Sequence, residues 1–143
     1  MSTQSYQNHT QRVPVFMGAG ILSLLIFIGG CVNVYKSVGD HQRLYSATLV
    51  LALTGCVLVI GYYARTFALK AQDRAIRAEE ALRHFMLTGK ALDNRLTIKQ
   101  IVALRFAGDD EFPALALQAA EQGTTPGEIK QAIKYWRADT YRV

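Results

Sequence analysis

Two cysteines, three histidines and three prolines are few for a chain of 143 residues, and each scarcity closes off a class of explanation. Cys31 and Cys56 both lie inside apolar runs. Were those runs paired as an antiparallel hairpin, the two sulfurs would be offset by roughly 12 Å at ~1.5 Å per residue, beyond disulfide reach. They read as small apolar packing residues. His9, His41 and His84 fall in three separate segments, so neither a metal cluster nor a His-based triad gathers within one copy. The chain has no glycine-rich phosphate loop. Asp109, Asp110 and Glu111 lack the alternating oxygen ligands of a calcium loop and are fully explained as a helix start. The sequence therefore offers no catalytic, cofactor-binding or metal-ligating residues, and the expectation is a protein that is not an enzyme and carries no cofactor.

Charge is missing over two long stretches. Between Arg12 and Lys36 lie 23 consecutive uncharged residues, and between Arg43 and Arg65 lie 21. At ~1.5 Å per residue either run spans a hydrocarbon core of roughly 30 Å. Two transmembrane helices follow, about 14–35 and 44–64. The most polar side chains inside them are Asn33 and Thr54, too little for a pump or an ion pathway. The link of eight residues, 36–43, carries a Gly39-Asp40 turn signal and forces an antiparallel hairpin. Tyr35 and Tyr45 fall at one interface, with Phe16, Tyr62, Tyr63 and Phe67 near the other, the expected aromatic belt. The pairs Ala19/Ser23 and Ala52/Cys56 have the small-xxx-small spacing that lets helices approach, read as packing within the hairpin.

Basic residues set the orientation. The hairpin link holds Lys36 and Arg43, whereas Arg12, Arg65, Lys70, Arg74, Arg77 and Arg83 flank the other ends. Six against two places both termini in the cytoplasm, with a cytoplasmic tail at 1–13. Ile28-Gly29-Gly30-Cys31 has the look of a lipobox. The apolar run continues past Cys31, however, and is too long for a signal peptide, so an intact first span is expected.

No proline or glycine interrupts 65–87, so the second span passes directly into a basic amphipathic helix. Positions 68, 71, 75, 78, 82 and 85 are Ala, Ala, Ala, Ala, Leu and Phe, a heptad-like seam. It lasts under three heptads, and a solvated helix is preferred over a seam for the cap or a second copy. Asp73/Arg77 and Glu79/Arg83 are i,i+4 pairs in the favourable order. Gly89 and Asn94 mark a hinge over 88–96, and a cap of three short helices over 97–143 follows. Thr97/Gln100 and Thr125/Glu128 have capping-box spacing, and Pro14, Pro113 and Pro126 each fall in a first turn. Gly108 and Gly123 end helices, and Asp109 is placed to cap the middle one. Ile98, Ile101, Val102 and Phe106, then Phe112, Leu115 and Ala119, then Ile129, Ile133 and Trp136 give three apolar faces at helical spacing. The fold class is all-α: a two-helix transmembrane hairpin, a cytoplasmic rod and a three-helix cap.

From Arg65 onward there are 13 Lys+Arg against 10 Asp+Glu, an excess suited to membrane-proximal charge. At the C-terminus, Lys130, Lys134, Arg137 and Arg142 interleave with Tyr135, Trp136 and Tyr141. Arg105, Trp136, Arg137 and Arg142 are the candidate contact surface, with Arg137 expected to pair with the acidic start of the middle helix.

Several motifs together carry a resemblance. They are the stretch from Tyr63 to Glu80, Gln100-Ile-Val-Ala-Leu-Arg-Phe-Ala107 with Asp109 to Pro113, Glu128-Ile-Lys-Gln-Ala-Ile-Lys-Tyr-Trp-Arg137 with Asp139 and Arg142-Val143, and Gln7-Asn8-His9. The chain resembles a bacterial family of small two-span membrane proteins known only as a domain of unknown function. That resemblance implies two membrane helices and a cytoplasmic helical tail, with the first span intact, and carries over no activity or site residue. The expected protein is a multi-pass component of the bacterial inner (cytoplasmic) membrane, acting as a non-enzymatic anchored interaction or scaffold module. Its partners are the lipid bilayer and either a second copy or another membrane protein. A membrane-tethered nucleic-acid binder is the alternative.

Overall fold

A computed structural model describes residues 5–7 and 13–139. It is all-helical among these residues, in the order α1 (Pro14–Lys36), α2 (His41–Thr88), α3 (Ile98–Leu104), α4 (Phe112–Gln122) and α5 (Pro126–Ala132). The chain divides into two compact units, 12–68 and 69–143, with a boundary inside α2; the described residues 5–7 belong with 69–143.

The first unit is α1 with the opening part of α2. Pro14 occupies the first turn of α1, where its missing N–H costs nothing. The helix stops at Ser37, whose hydroxyl donates to the Asn33 carbonyl at 2.8 Å. Gly39 then takes a left-handed φ of 105°, which a β-carbon would strain. Asp40 starts α2: its carboxylate accepts from the Arg43 backbone N–H at 3.2 Å, and its carbonyl from the Leu44 N–H at 2.8 Å. The covered positions are Ser23, Phe27, Gly30 and Val34 on α1 and Leu44, Ala47, Leu51, Thr54 and Leu58 on α2, alternately three and four residues apart. Among the glycines of α1 only Gly30 meets the partner helix closely: a β-carbon there would lie 3.2 Å from Leu51 Cδ1 and 3.6 Å from Leu51 Cα. The tight packing therefore falls on Gly30 and Ala47. Ala19, Ala52 and Cys56 are exposed, so the expected small-residue pairs are not the packing seam. Spacing alone could not rank them, because Gly30 is one of many small residues on a glycine-rich helix.

The second unit starts at Leu69 and is built around Phe106, Phe112, Leu104 and Ile129, all fully buried. Both capping boxes form. The Thr97 hydroxyl accepts from the Gln100 N–H at 3.3 Å while Gln100 Oε1 accepts from the Thr97 N–H at 2.8 Å. Thr125 and Glu128 repeat the arrangement at 3.3 and 2.8 Å. Gly123 closes α4 with φ 64°. The Gln100 amide also donates to the Thr124 carbonyl at 2.8 Å, tying the start of α3 to the α4–α5 turn.

Three expectations are corrected here. Asp109 does not cap α4; the preceding residue is Glu111, which makes no side-chain cap. Trp136 reaches the core from an extended segment, since α5 ends at Ala132 and Ile133 is already extended. Ile98 is 39% exposed, and the α3 core positions are instead Ile101, Ala103 and Leu104. A seven-residue helix makes two turns, so its buried face is decided by what flanks it rather than by a long period.

Candidate functional site

The residues of the second unit that bring charge together are Glu80 and Arg83 on α2, Asp109 before α4, and Arg137 after α5. Glu80 is 5% exposed. Its Oε2 lies 2.9 Å from Arg83 Nη1, and its Oε1 lies 3.9 Å from Arg137 Nη1. The Arg83 guanidinium donates from Nε to Asp109 Oδ1 at 2.7 Å and from Nη2 to the Ala107 carbonyl at 2.7 Å. Its centre stands 4.6 Å from the Phe112 ring centroid, a cation–π arrangement. One planar side chain thus meets two carboxylates, a carbonyl and an aromatic face, a set that the fork geometry of arginine suits and lysine does not. The His84 ring meets Phe112 edge-on at 5.8 Å and contacts the Lys90 carbonyl at 3.0 Å through Nδ1.

This arrangement replaces two expected pairings. Among the described residues Glu79 and Arg83 form no ion pair, and neither do Asp73 and Arg77. Arg83 turns inward to Glu80 and Asp109 because burial beside Phe112 strengthens those contacts over an exposed i,i+4 pair. Arg137 meets Glu80 rather than the acidic start of α4. The Glu111 carboxylate accepts instead from the Lys134 and Tyr135 backbone N–H groups at 3.1 and 3.0 Å.

The candidate contact residues separate. Arg105 is 8% exposed, its Nε 2.9 Å from Asp139 Oδ2 and its guanidinium 4.6 Å from the Phe106 ring centroid. Trp136 is half-buried, its ring 5.1 Å from that of Phe106. Arg137 anchors its backbone N–H on the Phe106 carbonyl at 2.8 Å and leaves its side chain largely exposed. The Tyr135 carbonyl accepts from the Gly108 N–H at 2.9 Å, completing a two-stranded bridge that straps the C-terminal segment to the α3–α4 turn. Arg142 lies outside the described residues, as do His9, Arg12 and Tyr141. Arg105 and Trp136 are therefore interior supports, and Arg137 is the member that faces solvent.

Beside the ion cluster runs an open groove of about 460 Å³ lined by Glu79, Leu82, Met86, Leu87, Asp109 and Arg137. A second groove of about 270 Å³ lies between Arg77, Ala81 and Phe85 of α2 and Leu92, Asp93 and Leu96. Asp93 has its carboxylate held by Arg95, through Nη2 at 2.7 Å and the backbone N–H at 2.9 Å. Those bonds lower its pKa from 3.8 to about 2. Glu128 is lowered by the Thr125 backbone and hydroxyl donors. Among the described residues no group of three His, Cys, Asp or Glu side chains gathers as a metal site. The groups present can hold one helix against a small core and offer a mixed polar and apolar surface.

The family model for a Family of unknown function (DUF6526) matches residues 1–143. The chain belongs to that family. No curated protein and no solved structure matches it. Membership agrees with the resemblance carried by the motifs around Tyr63, Gln100 and Glu128. The Glu80–Arg83–Asp109 cluster of this DUF6526 chain could not be found in advance, because its members are spread over 30 residues of sequence with no periodic link.

Proposed function

We propose that this DUF6526 chain is a non-enzymatic, membrane-anchored interaction module, with α1 and the first part of α2 crossing the inner membrane and both termini in the cytoplasm. One observation carries the reading. The two apolar helices are long enough to cross a bilayer, yet few of their residues are buried within the chain, Gly30 on α1 and Ala47 on the apolar part of α2, and most of their large apolar side chains stand exposed. Core helices of a soluble protein bury most of such a face, because apolar area left in water is unfavourable by roughly 25 cal/mol per Å². Lipid is the solvent that suits Ile21, Leu25, Leu53 and Ile60, all more than half exposed.

Orientation rests on the excess of Lys and Arg flanking the ends opposite the 36–43 link. The unit after Leu69 is then a small, capped helical body held at the inner surface by an unbroken helix. Its interior charges serve packing, and its exposed side chains serve contact. The nucleic-acid alternative gains nothing from Arg83 and Arg105, which are engaged with Asp109 and Asp139.

The test uses full-length protein with Cys31 and Cys56 replaced by Ala. Val38→Cys, in the link, is expected to react with an impermeant maleimide on intact spheroplasts. Leu117→Cys, exposed on α4, is expected to react only after permeabilisation. The reverse pattern overturns the orientation, and release of the protein by alkaline carbonate overturns the membrane reading.

A further inference from the structure

α2 has two faces beyond Leu69: one is covered by its own chain, and the other borders that chain only at the open grooves flanked by Leu82 and Phe85. Ile76, Glu80, Arg83 and His84 face the cap and are buried or half-buried. Ala71, Ala75, Ala78, Leu82 and Phe85 lie on roughly the opposite side, at about 100° per residue, and all are exposed. Leu82 is 61% exposed and Phe85 56%. Two large apolar side chains on an exposed helix face, continued by small residues that permit close approach, form an unpartnered surface.

We infer that this face is the seam of a parallel two-stranded coiled coil with a second copy of this chain. The spacing 71, 75, 78, 82, 85 is four, three, four, three, so Ala75 and Leu82 take a positions and Ala78 and Phe85 take d positions. The flanking charges then decide the partner and its direction. Arg74 becomes a g residue and Glu79 the e residue of the following heptad, and parallel strands bring g of one copy against that e of the other. Two-fold symmetry makes the Arg74–Glu79 pair twice. An antiparallel arrangement sets g against g and e against e, placing like charges together. Among the described residues neither side chain has an ion pair within its own chain, since Arg83 is committed to Glu80 and Asp109.

The inference rests on the membrane reading, which makes two copies parallel before they meet. It also explains why so short a seam suffices. About two heptads rich in alanine bury too little to join free proteins, but a common membrane turns association into a nearly intramolecular event.

The experiment is oxidative crosslinking of full-length protein in native membranes, with Cys31 and Cys56 replaced by Ala. Ala75→Cys and Ala78→Cys are expected to give a disulfide-linked dimer. Arg77→Cys, exposed but on the flank away from the seam, gives about tenfold less, its sulfurs lying beyond reach. Arg74→Glu lowers dimer yield of the Ala78→Cys protein about fivefold, and adding Glu79→Arg restores it. Unchanged Trp136 fluorescence shows that these variants keep the cap. Equal crosslinking at Arg77→Cys, no dimer at either alanine position, or a product whose mass reports a different protein overturns the seam. Carbonate extraction is scored on the same membranes. Retention without dimer removes this inference alone, and release removes the membrane reading together with it.

Discussion

Arg83 and Asp109 lie 26 residues apart in sequence and meet at 2.7 Å, with the guanidinium edge shared by Glu80 at 2.9 Å. The contact fixes the last turns of α2 to the start of α4. It also neutralises Glu80, a carboxylate only 5% exposed. Arg83→Leu removes the nearer cation and leaves that buried carboxylate only the longer contact to Arg137 at 3.9 Å, which costs about 3–5 kcal/mol for a pair broken on one side. Arg83→Leu with Glu80→Leu is expected to recover most of the loss, because neither charge then stays behind. Urea unfolding followed by Trp136 fluorescence measures both. With Glu80→Leu measured alone as well, a double-variant loss equal to the sum of the two single losses would show that the cluster is not coupled.

Phe106 is the centre of the second unit. It is fully buried, with Trp136 at 5.1 Å, Arg105 at 4.6 Å and Lys130 at 5.7 Å from its ring. Phe106→Ala loses roughly 3–5 kcal/mol as burial and a residual cavity, enough to unfold so small a body. Trp136→Phe, at a half-buried position, is expected to cost under about 1.5 kcal/mol. The measurement is far-UV circular dichroism against temperature in detergent, and a Phe106→Ala protein melting with the parent contradicts the placement of the core.

The features legible in sequence are those whose cause is local. Pro14, Gly123 and the Thr97/Gln100 and Thr125/Glu128 boxes act within one turn, and the structure has each where its residue type requires it. The two long uncharged runs are equally local and give α1 and α2. What sequence could not place depends on meeting across distance. Arg83 had a favourable partner at Glu79 and took Glu80 and Asp109 instead, because Phe112 and the Ala107 carbonyl stand there. Trp136 sits at helical spacing from Ile129 and Ile133, yet the Ala107 bridge draws it out of the helix. The alanine seam was legible as a pattern. That it faces away from the cap is decided by the burial of Ile76 and Glu80 on the other side.

Acid is expected to loosen the second unit in a defined window. Hydrogen bonds from Arg95 lower Asp93 from 3.8 to about 2, and donors at Thr125 lower Glu128 below its ordinary 4.5. A carboxylate with a depressed folded pKa stabilises the fold above its unfolded pKa and loses that contribution as pH falls through the folded value. The contribution of these two carboxylates therefore stays level from neutrality to about pH 4.5, the ordinary glutamate value, and declines between there and pH 2. Amide protection at Glu128 and Ile129, taken relative to the intrinsic exchange rate at each pH, should fall in that window, and the Thr125→Ala protein should show a smaller change. Protection that already falls between pH 7 and 5 would assign the effect to other groups.

Gly30 and Leu51 set the spacing of the hairpin. A β-carbon at position 30 falls 3.2 Å from Leu51 Cδ1, tighter than packed carbons ordinarily stand, and 3.6 Å from Leu51 Cα. Gly30→Ala needs only the far end of the Leu51 side chain to move, so a small effect is expected. Gly30→Leu must push the α2 backbone away, and overpacking of that kind costs about 1–3 kcal/mol. Gly29→Leu is the control: nothing lies within 4 Å of a β-carbon there, and the position faces away from the partner helix. Thermal aggregation of the three proteins in mild detergent ranks them. Gly30→Leu is expected to aggregate several degrees below Gly29→Leu, with Gly30→Ala close to the parent. Close packing at a single glycine makes the two leucine variants diverge, whereas a hairpin joined only by its link would treat them alike.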